Sequence, residues 1–547
     1  MAPMLRAWVL LLLATAAAAE PVVYHNATFY TVDPKRPRAE VLVVDGDRIV
    51  AVGGQELLKG YEHVRSVDLG GLWVVPGLID AHGHLAGLGA LRLQLDLRDT
   101  KSFDELLERV KGRVASTPKG TWILGGRWDN ATWGQEELPH HARLSEITPE
   151  YPVLLSRVDG HAALANAYAL RLAGVTKDTK DPDGGEILRD GKGAPTGMLI
   201  DNAISLVRRT IPEGGGTPTG ELWMHAQTDC LRVGLTSVHD AGVAHTDLED
   251  LRKRYKRGEL KVRVYAMLSS GPGIEKYLAT HEPVSDKWLS VRAVKAYMDG
   301  AMGSRGAWML EPYSDRPGHT GLAVTQPARI RALAKACAAK GYQLCTHAIG
   351  DRGNREVLDA YEAALSKLPG DIDLRFRIEH AQCISLDDIP RFARLGVIAS
   401  MQPTHATSDM RWAEDRVGPE RLKGCYAWRR LLDSGARLAF GSDFPVESEK
   451  PLWGFYAAIT RQDHKGNPPG GWLPDQKLTR EEALRLFTLD AAYAAFQEND
   501  LGSLEVGKLA DFVVLTHDIM KTPANELYQV RVERTFVGGE RVYVLPR

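Results

Sequence analysis

Two hydrophobic periods divide the chain. Between Val22 and Val75, apolar and polar residues alternate in short runs broken by turn residues, the signature of half-buried strands. Val41 to Val52 reads as a hairpin closed at Asp45-Gly46-Asp47. The far end has the same texture. Ala510 to Leu515 and Arg531 to Val537 are strand-like, and Gly538-Gly539 separates the second from Arg541-Val542-Tyr543-Val544. These stretches predict one small β-sandwich built from residues 20–76 and 498–547.

Over residues 77–497, apolar runs of strand length alternate with runs of helical period. Strand-like runs fall near 77–84, 236–241, 262–268, 291–299, 342–347, 374–380, 397–402 and 436–443, with helical patterns such as 329–340 and 352–368 between them. Eight strands alternating with helices predict an α/β fold, a parallel (β/α)8 TIM barrel. The rhythm breaks after Leu85. That predicts an insertion over about residues 86–222, following the first barrel strand and covering the active face.

Composition changes this picture little. Apolar residues make up 44% and charged residues 25% of the 547, ordinary for a globular protein. A net charge of −2 gives no electrostatic reason to expect a nucleic-acid partner. The first residues do change it. Arg6 precedes an uncharged run from Ala7 to Ala19 that ends in Ala17-Ala18-Ala19, the layout of a cleavable secretory signal over residues 1–19. The run is short for a membrane span, which needs about 20 residues. An uncleaved anchor is the alternative. The expectation is an exported protein, periplasmic or secreted, with no stable span once the signal is removed. The five cysteines have no framework spacing and read mostly as small buried residues. A homo-oligomer is compatible with all of this.

The candidate chemistry sits at strand ends. His82 and His84 close the first strand in Asp80-Ala81-His82-Gly83-His84, and residues i and i+2 of a strand point the same way. Lys295 lies in the fourth strand, His347 ends the fifth, His380 the sixth and Asp443 the eighth. Barrel enzymes draw their catalytic residues from the C-terminal ends of several strands. Four histidines, an aspartate and a lysine so placed can hold one or two divalent ions, and imidazole with carboxylate suits Zn2+ without excluding manganese, iron or nickel. The plainer alternative for Lys295 is an ion pair with Asp299 beside a single metal. Of the remaining residues, His161, Arg305, Gln402 and His405 are candidate substrate contacts. Arg305 is suited to clamping a carboxylate, and Gln402 and His405 close the seventh strand. His140, His141 and His464 read as solvated surface, and Trp128, Trp133 and Trp308 as core or as a pocket wall.

In combination, the chain resembles the amidohydrolase superfamily, and within it the Amidohydro_3 or YtcJ-like branch. The residues carrying the resemblance are Pro76 to His84, Gly125-Gly126-Arg127-Trp128-Asp129, Val158-Asp159-Gly160-His161, Gly300 to Arg305, Gln402-Pro403-Thr404-His405 and Gly441-Ser442-Asp443. The resemblance implies that His82, His84 and Asp443 hold one ion, that His347 and His380 hold the other, and that a carboxylated Lys295 bridges them. The expected activity is metal-dependent hydrolysis. Metal-bound hydroxide attacks a carbonyl and Asp443 carries the proton, cleaving a carbon–nitrogen bond other than a peptide bond in a small amide, N-acyl or N-formyl compound. The rival readings are a lactone, ester, cyclic imide or dipeptide on the same scaffold, or a non-catalytic ligand-binding barrel. No nucleophile elbow, phosphate loop or Cys-x-x-Cys pattern offers different chemistry.

Overall fold

A computed structural model of the chain describes residues 20–546, apart from 98–99, 134–137, 158–161, 183–184, 304, 367 and 369–371. The expected signal over residues 1–19 and the candidate contact His161 lie outside the described residues. No helix among the described residues is long and apolar enough to cross a membrane.

Eight parallel strands form the barrel: β1 (Leu78–Gly83), β2 (Leu235–Val243), β3 (Arg263–Ser269), β4 (Leu289–Tyr297), β5 (Gln343–Ala348), β6 (Arg377–His380), β7 (Ile398–Met401) and β8 (Leu438–Phe440). Each hydrogen-bonds the next in parallel register. The strands are rich in Val, Ile, Leu and Ala and almost wholly buried, as expected where helices cover the outside and side chains fill the inside. The expected helix near 329–340 is Pro327–Lys340. Proline in its first turn starts it, and Gly341, at φ 73°, ends it in the left-handed conformation. The next, Asp351–Leu365, stops short of the expected Leu368.

The barrel's seam lies between β8 and β1. There the Asp443 N–H donates to His82 O at 2.7 Å and the His84 N–H to Phe444 O at 2.8 Å. Buried Asp80 reinforces it, accepting from His82 N at 3.0 Å, Ser442 N at 3.0 Å and Ser442 Oγ at 2.6 Å. Gly441 permits the approach, because a Cβ there would collide with His82 N and the Asp80 carboxylate.

The two ends of the chain meet in one hydrogen-bonded sheet of eight strands. Its path runs Glu540–Val544, Val532–Val537, Phe512–Leu515, Arg65–Pro76, Val22–Tyr30, Val41–Asp45, Arg48–Gly53, and Arg38–Ala39 pairs off this path with Val22–Tyr30. The hairpin expected near Asp45 turns at Gly46 and Asp47. Tyr24, Phe29, Leu42, Phe512 and Phe536 pack into one core, while Val23, Val41 and Val43, of the opposite parity to Tyr24 and Leu42, pack against Leu57 and Leu58; an irregularity between His25 and Ala27 brings Phe29 to the Tyr24 face. Strand Arg65–Pro76 runs through Gly77 directly into β1. Arg263 of β3 joins this sheet to the barrel, donating to both oxygens of Asp511 at 2.7 and 2.9 Å where both side chains are buried.

Between β1 and β2 lies a separate six-stranded sheet, ordered Gly185–Arg189, Pro195–Asp201, Ala162–Ala165, Val153–Arg157, Ile123–Trp128, Leu95–Asp96. It has its own cores, one of which holds Trp128. Helices Leu85–Leu93 and Thr219–Arg232 bracket it, and they pack so closely that a Cβ on Gly89 would strike the Leu222 carbonyl. All five cysteines are buried as expected, but Cys383 and Cys425 form a disulfide across 42 positions that their spacing did not indicate, and Cys230, Cys337 and Cys345 are free.

Candidate metal centre

Parallel strands in a closed barrel deliver their C-terminal residues to one end. His82 of β1 is fully buried, and Gly83 beside it leaves room for the Phe444 ring, which a Cβ would strike. His84 Nε2 lies 3.0 Å from Asp443 Oδ1, and His82 Nε2 lies 3.6 Å from the same oxygen. Lys295, only 1% exposed, places Nζ 3.3 Å from His82 Nε2. Its neighbour is thus a histidine. Asp299, the alternative partner, accepts instead from the backbone N–H groups of Trp308, Ile349 and Gly350.

The other expected residues join the cluster. The His380 ring centroid lies 4.8 Å from that of His82 and 4.6 Å from that of His347. His405 Nε2 lies 3.6 Å from Asp443 Oδ2. Two groups bring ligand atoms within 4.8 Å of one another: His82, His84 and Asp443, and His380, His405 and Asp443. The first is the expected set. In the second, His405, expected as a substrate contact, stands where His347 was expected. His380 at φ 71°, Ala381 at 43° and Asp443 at 61° all sit in the left-handed region, a strain of about 1–3 kcal/mol each.

Buried acceptors set the ring orientations. His82 Nδ1 is 2.5 Å from Glu379 Oε2, which leaves Nε2 with its lone pair towards Asp443 and Lys295. His380 Nδ1 is 2.7 Å from Gln402 Oε1, which leaves its Nε2 free. Glu379 is itself held by Arg377, whose Nη2 donates to Oε2 at 3.0 Å and whose Nε lies 2.8 Å from Oε1 at an angle too bent for a hydrogen bond. Burial works against the Glu379 charge, yet Arg377 and His82 hold its carboxyl below the ordinary range. Burial lowers His82 to about 4 and His347 to about 3, and lowers Lys295 from its ordinary value. Burial opposes the charge on Asp443 too, but the His84 hydrogen bond and the field of His380 and His82 hold it well below the usual carboxylate range.

These residues fit a divalent ion. The buried imidazoles are neutral, as ligation requires, and the free nitrogens face a carboxylate. The buried His347 and His405 Nε2 atoms have no hydrogen-bond partner. The centre opens into a cavity of about 410 Å3, walled beyond the histidines by Tyr297, Met302, Asp409, Trp412 and Glu447.

Several expectations change here. Arg305 is engaged elsewhere, its Nε and Nη2 donating to the Asp315 carboxylate at 3.0 and 2.8 Å, and it does not line the cavity. Gln402, 3% exposed, is spent on His380 and on the Ser400 carbonyl instead of facing a substrate. No described residue of the inserted sheet lines the cavity. Trp128 and Trp133 stack on each other away from it, and His464, exposed as expected, rests one face against Trp453 and Tyr528. Glu379, Asp409, Trp412 and Glu447 were not singled out from the sequence. Asp409 had one readable signal, its place four residues after His405 on one helical face.

Residues 65–543 match the model of the amidohydrolase family. The chain is 37% identical over 533 residues to Protein LONG AFTER FAR-RED 3 of Arabidopsis thaliana, covering 95% of this chain and 91% of that one. It is 32% identical over 530 residues to YtcJ of Bacillus subtilis (strain 168), covering 95% and 99%. It is 30% identical over 538 residues to N-substituted formamide deformylase of Arthrobacter pascens, covering 94% and 96%. Among solved structures, an uncharacterized metal-dependent hydrolase from Pyrococcus furiosus superposes with a TM-score of 0.76 at 31% identity, over 92% of this chain and all of that one. A chain matched over this length, with histidines, a lysine and an aspartate gathered at the mouth of a parallel barrel, belongs to the amidohydrolase family and is a metal-dependent hydrolase.

Proposed function

We propose that this enzyme hydrolyses a carbon–nitrogen bond of an N-acyl or N-formyl small molecule, using one or two divalent ions, Zn2+ foremost. The observation that carries this reading is the convergence of His84, Lys295, His347, His380 and Asp443 on one cavity of small-molecule size, with His82 buried beside Lys295 and Asp443. His82, His84 and Asp443 are assigned to one ion and His347 and His380 to the other, with His405 in reach of the second. Lys295 is assigned as an N-carboxylated bridge, because its buried amine is shifted towards the neutral form that carbamate formation requires. An ion held there supplies Lewis acidity and a water acidic enough to ionise near neutral pH.

Asp443 accepts a proton from the attacking water and returns it to the departing nitrogen. The C–N bond breaks as the C–O bond forms, giving a carboxylic acid and an amine. Glu379 and Gln402 keep the His82 and His380 rings turned to the cavity throughout. His161, outside the described residues, remains assigned as a substrate contact. The relative that is an N-substituted formamide deformylase favours amide over lactone or ester chemistry.

We place the mature protein outside the cytoplasm, periplasmic or secreted, after cleavage behind Ala19. The Cys383–Cys425 disulfide suits such a compartment. No nucleic-acid or membrane partner is assigned.

The test is metal analysis of the purified protein, followed by a panel of N-substituted formamides, N-acyl amino acids, lactones and esters. Formate or acid release with free amine, abolished by a chelator and restored by zinc or manganese, is expected. Turnover of lactones or esters alone overturns the amide reading. Failure to take up metal, with no turnover, favours the ligand-binding barrel.

A further inference from the structure

Beyond the metal-fitting residues, the cavity wall is acidic. Asp409 and Glu447 both line it, and neither makes an ion pair among the described residues. Asp409 Oδ2 accepts from Tyr426 Oη at 2.7 Å and Gln382 Nε2 at 3.1 Å, which leaves Oδ1 without a donor. Glu447 Oε1 accepts from Ser408 Oγ at 2.5 Å, which leaves Oε2 without one. Glu447 also walls an adjoining chamber of about 270 Å3 with Thr404, whose hydroxyl is buried, 5% exposed as a residue, and unpartnered.

Of the basic residues nearby, exposed His464 and Lys465 share the adjoining chamber with Glu447 but do not line the main cavity. Arg305 and Arg416 are both paired with Asp315. Arg411 is exposed and pairs with neither carboxylate. Burial raises the Asp409 carboxyl, against the influence of His405 and the Tyr426 hydroxyl, so a cationic ligand would relieve a desolvation cost already present. Trp412 adds an aromatic wall beside these acceptors.

Spacing ties this wall to the chemistry. His405 and Asp409 lie on one face of helix Pro403–Asp409, one turn apart. Four residues rise about 6 Å along a helix axis. We propose that Asp409 and Glu447 form a subsite for a cationic group of the substrate, an ammonium held one helical turn beyond His405 on the cavity wall. The substrate class is then an N-acylated diamine or another amide with a distal amine. The assignment deepens the amide reading and rests on it for the bond cleaved, though not for the charge recognised.

The test uses the metal-loaded full chain and three matched probes: N-formyl-1,4-diaminobutane, neutral N-formylpentylamine and anionic N-formyl-4-aminobutyrate. The cationic probe is expected to exceed the neutral one by roughly tenfold or more in kcat/KM, the worth of one charge-assisted contact, with the anionic probe last. Asp409→Asn and Glu447→Gln should each shrink that ratio, and the double variant should bring it close to one. Pentylammonium binding, read by calorimetry, should weaken in the same order. Equal rates for the three probes, or a ratio that survives in the double variant, overturn the subsite and leave the amide reading standing. No hydrolysis of any probe, with pentylammonium binding lost in the double variant, overturns the amide reading and leaves the subsite standing.

Discussion

The floor and the rim of the cavity are both polar, and they are built on opposite principles. On the floor, Arg377 pairs with Glu379, Glu379 takes the His82 Nδ1–H, Gln402 takes that of His380, and Asp80 takes one donor from His82 and two from Ser442 across the seam. These groups are buried and hydrogen-bonded, apart from Arg377 Nε and Glu379 Oε1, which face each other at 2.8 Å as an ion pair. On the rim, Asp409 and Glu447 each keep an oxygen free of donors among the described residues, and His405 Nε2 has no hydrogen-bond partner there. A buried polar atom left unmatched costs about 1–3 kcal/mol; the half-buried rim carboxylates escape much of that cost through solvent, while His405 Nε2 sheds it on meeting a ligand. The contrast assigns the floor to holding geometry and the rim to meeting ligands.

That contrast can be broken by substitution. Asp443, shared between both candidate ligand groups, should matter most. Asp443→Asn is expected to lower kcat by about 10³-fold or more, within the span of a lost proton carrier, while the fold is kept; undiminished turnover would remove Asp443 from its role. Glu379→Gln strikes the floor. It keeps an acceptor for His82 but strips Arg377 of its counter-charge, and breaking such a buried pair costs about 3–5 kcal/mol. A lowered Tm should accompany metal affinity reduced by about 10–100-fold, read by competition with a chromophoric chelator. A variant of unchanged Tm and metal content would show that the floor does not set the ring geometry. Gln402→Ala removes a neutral acceptor only. Its effect on metal affinity should be smaller, about tenfold, with little change in Tm. Arg305→Ala marks the lower end. Its partner Asp315 is partly exposed, and such pairs contribute about 0–1 kcal/mol, so kcat/KM should move less than about threefold. A collapse in activity there would return Arg305 to the substrate.

The floor was more legible in the sequence than the rim. Barrel strands are short apolar runs, so a His or Asp that ends such a run is conspicuous, and topology then brings the ends together. His82, His84, His347, His380 and Asp443 could be placed this way. Glu379 stood next to His380 in the same run, but its role depends on Arg377, two residues earlier on the same strand, facing the same way inside the barrel. Arg305 looked free because Asp315 reaches it through a loop, whose path the local pattern does not encode. The Cys383–Cys425 pair was hidden for a related reason: it joins the segments after β6 and before β8, which are neighbours only once the barrel has closed.

Strand Arg65–Pro76 lies between Val22–Tyr30 and Phe512–Leu515 and leads straight into the strand that carries His82. The register of the first histidine is therefore fastened by a segment far downstream in the chain, and Tyr30 reaches Asp518 across 488 positions. A ribosome must make all eight barrel strands before this edge is covered. Until then, Arg65–Pro76 presents open backbone donors and acceptors to any strand it meets. Shielding of that edge, by a chaperone or by delayed collapse, thus belongs to the biogenesis of the metal centre itself.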